Sequence, residues 1–392
     1  MHISDKNVRK STARRREKRK PSRLSLSLCL FLLMVLCLAS CGKEAAAVQD
    51  GAGYVNLQAV SGSFCLVDES GVVYALDLES GEKEALFRGP ADFGWIADSK
   101  LNRLYYRELT EATSDTVRFA IHSCGIVSGS DEVIYEDAYL NLLSAGTENL
   151  LLEQQLNREG GVPLSSDYFS INAYTGVITA EFVLQDGFEP VSAIGSLGNT
   201  AYIWTENSDN CLIEQRELPR TRLEAWDLSD GTQTVLLELS DRLDEAPVLS
   251  DDGCIRFLKE TQSQDRTDFI FRQYSLSTGT LTEYAGSIGG SALQLSPAGD
   301  NLLLVCAPAD EKNKVETAAE KTEESEIGLS TAPKGASLWA IDAGSGVISR
   351  LSSFDFQDWV SVRSFVTDGN RFAALSDTSG GKTVLALGYL DG

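Results

Sequence analysis

The chain has 392 residues, of which 57 are acidic and 34 are basic, giving a net charge of −23. Ten of the basic residues and only two of the acidic ones lie in residues 1–40, so residues 41–392 carry a net charge of −31. Such a surface repels phosphate backbones and anionic lipid headgroups, and we therefore expect no nucleic acid among the partners.

The beginning of the chain predicts a secretion signal. A basic stretch up to Arg23 precedes the apolar run 24–39, which as a helix would span about 24 Å, less than the ~30 Å core of a bilayer. The run ends in Leu38, Ala39, Ser40 and Cys41, which resembles the lipobox of bacterial lipoproteins. That resemblance implies cleavage after Ser40, lipid attachment at Cys41 and an extracytoplasmic location on the cell membrane. Plain secretion and a short signal anchor are the alternatives.

Residues 41–53 contain few large apolar side chains and several small ones, which predicts a flexible tether between the lipid and a folded domain. Two or three acyl chains on Cys41 would hold the protein at a membrane, since one chain alone binds only marginally. The membrane, reached through this anchor, is thus one expected partner.

Residues 54–392 repeat one short pattern. A strand-like run of Leu, aromatic and β-branched residues leads into a polar turn that ends in Gly, and a second run follows, which is typical of a β-hairpin. The successive spacings of these glycines are 48, 47, 55, 48, 67 and 46 residues, at Gly81, Gly129, Gly176, Gly231, Gly279, Gly346 and Gly392. A second Gly turn follows most of them, as in 249–258, so each period supplies four strands.

Four strands per ~48 residues are typical of one propeller blade, and the spacing predicts an all-β propeller of about seven four-stranded blades, with six or eight as alternatives. An array of β-sandwiches is the competing architecture. No helical periodicity is sustained after Cys41, except that residues 137–156 fit either a helical turn or a pair of strands.

Two turn sequences carry a family resemblance. Residues 296–300 (SPAGD) and 250–253 (SDDG) resemble the SPDG turn of TolB-type and WD40-like (PD40-like) propeller repeats. Residues 75–81 (ALDLESG) are similar to an element of quinoprotein-type repeats, but the Trp that usually follows is absent. The resemblance implies a propeller and leaves its function open.

Two features interrupt the regular repeat. Residues 309–335 lengthen one period, lack aromatic residues and are dense in Glu, Lys, Thr and Ala, which predicts a disordered insert within the propeller domain 54–392. A ring of blades also has to close, and we expect residues 54–67 to pair with the strand at Thr383–Leu390.

Chemistry-bearing residues are sparse in the body of the chain. His122 is the one His after residue 40; we interpret it as a packed side chain, because the neighbouring Ser123 and Cys124 would point away from it or lie too close to act as its nucleophile. The five body cysteines lack paired spacing, and the acidic clusters at 241–245, at Glu206 with Asp209 and at 251–252 lack a calcium-loop spacing. We predict no catalytic, cofactor-binding or metal-ligating residue.

These observations favour a membrane-anchored scaffold that binds a protein or a component of the cell envelope. A hydrolase or lyase with a site at the central channel is the alternative, which a cluster of Asp or Glu with Tyr or Arg along the channel would favour. A solute-binding lipoprotein is a third possibility, but such proteins are typically two-lobed and rich in helices, which this sequence lacks.

Overall fold

The structure is a computed structural model, and the residues it describes run from 47 to 389. Seventeen stretches between them are not described, at 61–62, 89–95, 99–102, 114–115, 126–127, 157–164, 185–186, 208–219, 241–246, 251, 263–266, 289–291, 299–300, 307–335, 343–344, 357–358 and 368–370. The predicted signal peptide, the lipobox and the predicted insert 309–335 therefore lie outside the described residues. No helix in the described part has the length and hydropathy needed to cross a membrane.

Twenty-eight strands make up the described fold. In chain order they are β1 (Ala47–Asp50), β2 (Tyr54–Val60), β3 (Ser63–Asp68), β4 (Val72–Leu76), β5 (Lys83–Arg88), β6 (Ile96–Asp98), β7 (Arg103–Ala112), β8 (Val117–Gly125), β9 (Asp131–Ala138), β10 (Leu140–Ala145), β11 (Asn149–Leu156), β12 (Ser165–Asn172), β13 (Ile178–Phe182), β14 (Phe188–Leu197), β15 (Thr200–Asn207), β16 (Thr221–Asp227), β17 (Gln233–Leu239), β18 (Val248–Leu249), β19 (Cys254–Gln262), β20 (Thr267–Ser275), β21 (Thr280–Ile288), β22 (Ala292–Ala298), β23 (Asn301–Cys306), β24 (Ala336–Asp342), β25 (Ile348–Phe356), β26 (Trp359–Thr367), β27 (Arg371–Thr378) and β28 (Thr383–Tyr389).

The strands form seven antiparallel sheets of four. Blades 1 to 6 each take four consecutive strands, from β2–β5 to β22–β25, and blade 7 has the order β26-β27-β28-β1. The first strand of each blade contacts the first strand of the next, and β26 contacts β2, which closes a ring. The domain of residues 47–389 is a seven-bladed β-propeller, as the repeat predicts. Residues 137–156, for which the sequence allows a helical turn or a pair of strands, contain the end of β9 and the paired strands β10 and β11.

The ring closes through a different segment from the predicted one. Residues 54–67 belong to β2 and β3, which pair with each other and form the inner half of blade 1. Instead β1 pairs with β28, in a register that places Ala47 opposite Leu387 and Asp50 opposite Val384. The prediction that residues 54–67 pair with the C-terminal strand is therefore wrong, because residues 54–67 already pair with neighbouring strands of blade 1. Part of the predicted tether 41–53 is thus a strand.

Apolar side chains fill the seams between successive blades. Leu57 and Leu66 of blade 1 pack with Leu375, Leu385 and Leu387 of blade 7, and all five are at most 5% exposed. Burying a Leu side chain contributes about 1.5–3 kcal/mol. The closing seam is thus a substantial part of the core, and β28 contributes Leu385 and Leu387 to it.

The turns between first and second strands, and between third and fourth strands, gather at one end of the ring, which we call the turn face. Hydrogen bonds join several of them: the Thr147 N–H donates to the Gly198 carbonyl at 2.8 Å, and Asn199 Nδ2 donates to Ser229 Oγ at 3.3 Å. The remaining connections, from second to third strand and from blade to blade, lie at the other end, which we call the connection face.

Six of the seven periodic glycines lie in the turns between third and fourth strands, and Gly392 lies outside the described residues. The φ angles of Gly81, Gly129, Gly176, Gly231, Gly279 and Gly346 all lie between 63° and 80°. Glycine adopts this left-handed conformation readily because it has no Cβ, whereas L-residues adopt it at a cost. Several also lie against the preceding blade; a Cβ on Gly176 would lie 1.9 Å from the Ile134 carbonyl oxygen of β9. The repeat therefore reflects blade packing as well as turn geometry.

Candidate functional site

The first strands of the blades surround the axis and carry few charges. Their described residues include three charged ones, Asp98, Glu189 and Arg363, and otherwise mostly apolar, Ser, Asn and Gln residues. Arg363 pairs within its own blade, where its Nη2 lies 2.8 Å from Asp377 Oδ1 and its Nε donates to Oδ2 at 3.0 Å. Among these described strands, Arg363 is therefore engaged with a neighbouring strand and not with an acidic group from another blade.

The group of titratable side chains nearest to a candidate site surrounds His122 in β8. The His122 side chain is 9% exposed and stacks on Tyr106 of β7, with ring centroids 4.6 Å apart and an 11° angle between planes. Its Nδ1 lies 3.1 Å from Asp131 Oδ1, and its Nε2 lies 3.0 Å from Glu108 Oε2, outside hydrogen-bond geometry. Two carboxylates thus flank one buried ring.

Tyr106 completes this group. Its hydroxyl donates to Asp131 Oδ2 at 2.7 Å, while Oδ1 of the same carboxylate contacts His122. Burial, and then the hydrogen bond to Asp131, raise the pKa of the Tyr106 phenol well above its usual value. The phenol therefore remains a proton donor that fixes the carboxylate, and it is not available as a base.

The neighbours of His122 in sequence lie as the strand alternation predicts. Ser123 faces the other side of the sheet, where its Oγ accepts a hydrogen bond from Arg103 Nη1 at 2.7 Å. Cys124 shares the seam between blades 1 and 2 with Cys65 and Tyr106. Burial raises the pKa of the Cys124 thiol to about 12, so it stays protonated and unreactive at neutral pH. Neither residue can serve as a nucleophile activated by His122.

The partners of His122 are not evident from the sequence. Glu108 and Asp131 are 14 and nine residues away, and they reach the ring because β7 and β9 flank β8. The same is true of Glu224, a carboxylate 8% exposed that accepts hydrogen bonds from Trp226 Nε1 at 2.9 Å and Thr205 Oγ1 at 3.1 Å. Each arrangement joins neighbouring strands of a single blade, blade 2 around His122 and blade 4 around Glu224.

The acidic clusters singled out in the sequence come together only in part. Asp252 binds the buried guanidinium of Arg256, which also donates to Gln273 Oε1 at 2.9 Å. Residues 241–246, Asp209 and Asp251 lie outside the described residues, as do Leu38, Ala39, Ser40 and Cys41. Within the described part of the chain, no three His, Cys, Asp or Glu side chains converge as metal ligands would.

Comparison with known proteins supports the fold. No protein-family model matches the sequence, and no curated protein matches it. Among solved structures, the acylaminoacyl peptidase of Pyrococcus horikoshii has a TM-score of 0.52 at 11% identity and covers 88% of this chain and 51% of its own. The dipeptidyl peptidase 4 of Porphyromonas gingivalis has a TM-score of 0.51 at 9% identity, covering 89% and 59%.

TolB from Acinetobacter baumannii is also similar, with a TM-score of 0.41 at 12% identity over 88% of this chain and 63% of its own. The likeness to the two peptidase structures, with TM-scores above 0.5, confirms the predicted propeller fold. The chain spans only about half to three-fifths of the two peptidases, so their activity does not follow from the likeness.

Proposed function

We propose that this chain is a membrane-anchored extracytoplasmic lipoprotein whose propeller binds a protein or another component of the cell envelope. The observation that carries the binding role is the distribution of connections around the closed ring. Connections at the turn face are short, with two residues between β14 and β15 and six between β4 and β5.

The longest connections begin and end at the connection face. The two longest, residues 208–220 and 307–335, join second to third strands in blades 4 and 6. Two eight-residue connections follow, 157–164 between the second and third strands of blade 3 and 240–247 between blades 4 and 5. Long segments held at one end of a rigid frame are where binding proteins place their recognition residues. The alternative of a hydrolase or lyase site at the central channel stays a prediction.

The anchor is tested first, by phase partitioning of the full-length protein in a detergent that separates above its cloud point. We expect wild type to enter the detergent phase and Cys41→Ala to remain aqueous or unprocessed, because the thiol that accepts the lipid is gone. Ser379→Ala, at an exposed turn between β27 and β28, is the matched control and should partition as wild type. Equal partitioning of Cys41→Ala and wild type would show that the chain is not a lipoprotein.

The binding role is tested by chemical cross-linking in intact cells, followed by peptide mapping. We expect cross-links to an envelope component to map to segments of the connection face, and to weaken when Cys41→Ala releases the protein from the membrane. Cross-links confined to the turn face would contradict the proposal.

A further inference from the structure

The polarity of the closing strand determines where the N-terminal segment leaves the propeller. β1 is the outermost strand of blade 7, and it begins at Ala47, opposite Leu387. Its last residue, Asp50, lies opposite Val384, and the Gly51 N–H donates to the Thr383 carbonyl oxygen at 3.1 Å. The chain therefore enters the propeller at the end of blade 7 that is remote from Thr383.

That end belongs to the turn face. Arg371 begins β27 there, opposite Tyr389, and its Nη1 lies 3.4 Å from Glu79 Oε2 in the turn between β4 and β5. In the same turn, a Cβ on Gly81 would lie 2.2 Å from the Gln49 side chain of β1. The turn between β27 and β28, which contains Ser379, lies at the connection face instead.

The length of the intervening chain limits how far this end can be from the lipid. Cys41 precedes Ala47 by six residues, and six extended residues span at most about 20–22 Å. The eight residues of β27 extend about 26 Å from one face of blade 7 to the other. A lipidated Cys41 at the bilayer surface thus cannot hold Ala47 on the far side of a propeller that rests on its connection face.

We infer that the lipid-anchored protein sits with the turn face of blade 7 toward the membrane surface and presents its connection face away from it. This inference rests on the proposed lipidation of Cys41. The turn face therefore contacts the membrane. The connection face, which carries the longest segments, points away from the membrane and is accessible to a partner in the cell envelope.

Fluorescence quenching in vesicles tests the orientation. The lipidated protein, with a Cys at position 79 (Glu79→Cys) or at position 379 (Ser379→Cys), is labelled with an environment-sensitive fluorophore and bound to phosphatidylcholine vesicles that contain a headgroup spin-labelled lipid. Both positions are exposed, one at each face. Ser229→Cys, in a turn-face turn of blade 4, reports the tilt of the ring.

We expect quenching at position 79 to exceed that at position 379 at least threefold. Equal quenching, or stronger quenching at position 379, on vesicles that carry the protein would overturn the orientation alone. If the protein does not float with the vesicles, the lipid anchor itself is refuted and the orientation falls with it. Flotation and quenching therefore distinguish a failure of the inference from a failure of the proposed function.

Discussion

Replacing a periodic glycine and a matched control glycine separates two reasons for the presence of glycine in these turns, the positive φ and the close packing against the neighbouring blade. Gly176 lies in the turn between β12 and β13 with φ of +67°, and a Cβ there would lie 1.9 Å from the Ile134 carbonyl oxygen of blade 2. Gly253, in the turn between β18 and β19, has φ of +75°, and a Cβ there would have no neighbour within 4 Å. The substitutions Gly176→Ala and Gly253→Ala thus share the conformational cost and differ in the contact with another blade.

The expected magnitudes follow from these two environments. An L-residue in the left-handed region costs about 1–2 kcal/mol, which is the whole effect expected for Gly253→Ala. At Gly176 the added methyl group also forces the turn away from β9, and overpacking of this kind costs a further ~1–3 kcal/mol. Gly176→Ala should therefore destabilise the propeller by about 2–5 kcal/mol.

The assay is urea unfolding of residues 42–392 followed by intrinsic fluorescence, with both variants measured beside wild type. Because the two glycines have nearly the same φ, the difference between the variants measures the packing of one blade on the next. Equal losses of unfolding free energy would refute the view that the glycine period reflects contacts between blades.

Three further changes test other parts of the fold. Deleting 309–335 should change the free energy of unfolding by less than about 1 kcal/mol in urea, since closure entropy varies with the logarithm of loop length; a larger loss would mean that the segment packs on the blades. Truncating Thr383–Gly392 should cost more than about 4 kcal/mol, because it removes buried Leu385 and Leu387 along with the strand that pairs with β1, and size-exclusion chromatography should show aggregation instead of the wild-type peak. Asp77→Asn should flatten the acid side of the curve of unfolding free energy against pH. Hydrogen bonds from Ser80 hold the pKa of the Asp77 carboxyl below its usual value of about 4, so its stabilising contribution is present above that pH and is lost as the pH falls through the lower pKa of the folded state. An unchanged curve between pH 2 and 5 would contradict this.

The repeat was readable from sequence because its cause is local. A fixed position in each hairpin turn requires positive φ, and this requirement selects a glycine there, as at Gly81 and Gly231, regardless of the neighbouring blade. The close approach of Gly176 to the Ile134 carbonyl is not visible in the sequence, because it depends on the distance between two neighbouring blades. Architecture was therefore predictable, and the packing that maintains the period was not.

Closure and the surroundings of His122 could not be predicted for a related reason. The four residues of β1, Ala47–Asp50, carry no strand pattern of their own and become a strand through pairing with β28. The acids that flank His122 depend on register, which shifts between Leu109 and Glu111 and again between Ile121 and His122. A single-residue change in register moves a side chain to the other face, and sequence alternation does not reveal such shifts.

The strand β1 closes the seven-bladed ring by pairing with β28, and a disulfide between these two strands tests this closure most directly. Asp50 and Val384 face each other in the β1–β28 pair, next to the hydrogen-bonded pair of Gly51 and Thr383, so their Cα atoms should lie about 4.5–5.5 Å apart, within disulfide range. Asp50→Cys with Val384→Cys should form a bond under mild oxidation, seen as a cross-linked peptide in mass spectrometry, and should raise the urea midpoint. Asn56→Cys with Val384→Cys, which joins the C-terminal strand to β2, should not. Cross-linking of the second pair and not the first would show that another strand closes the ring.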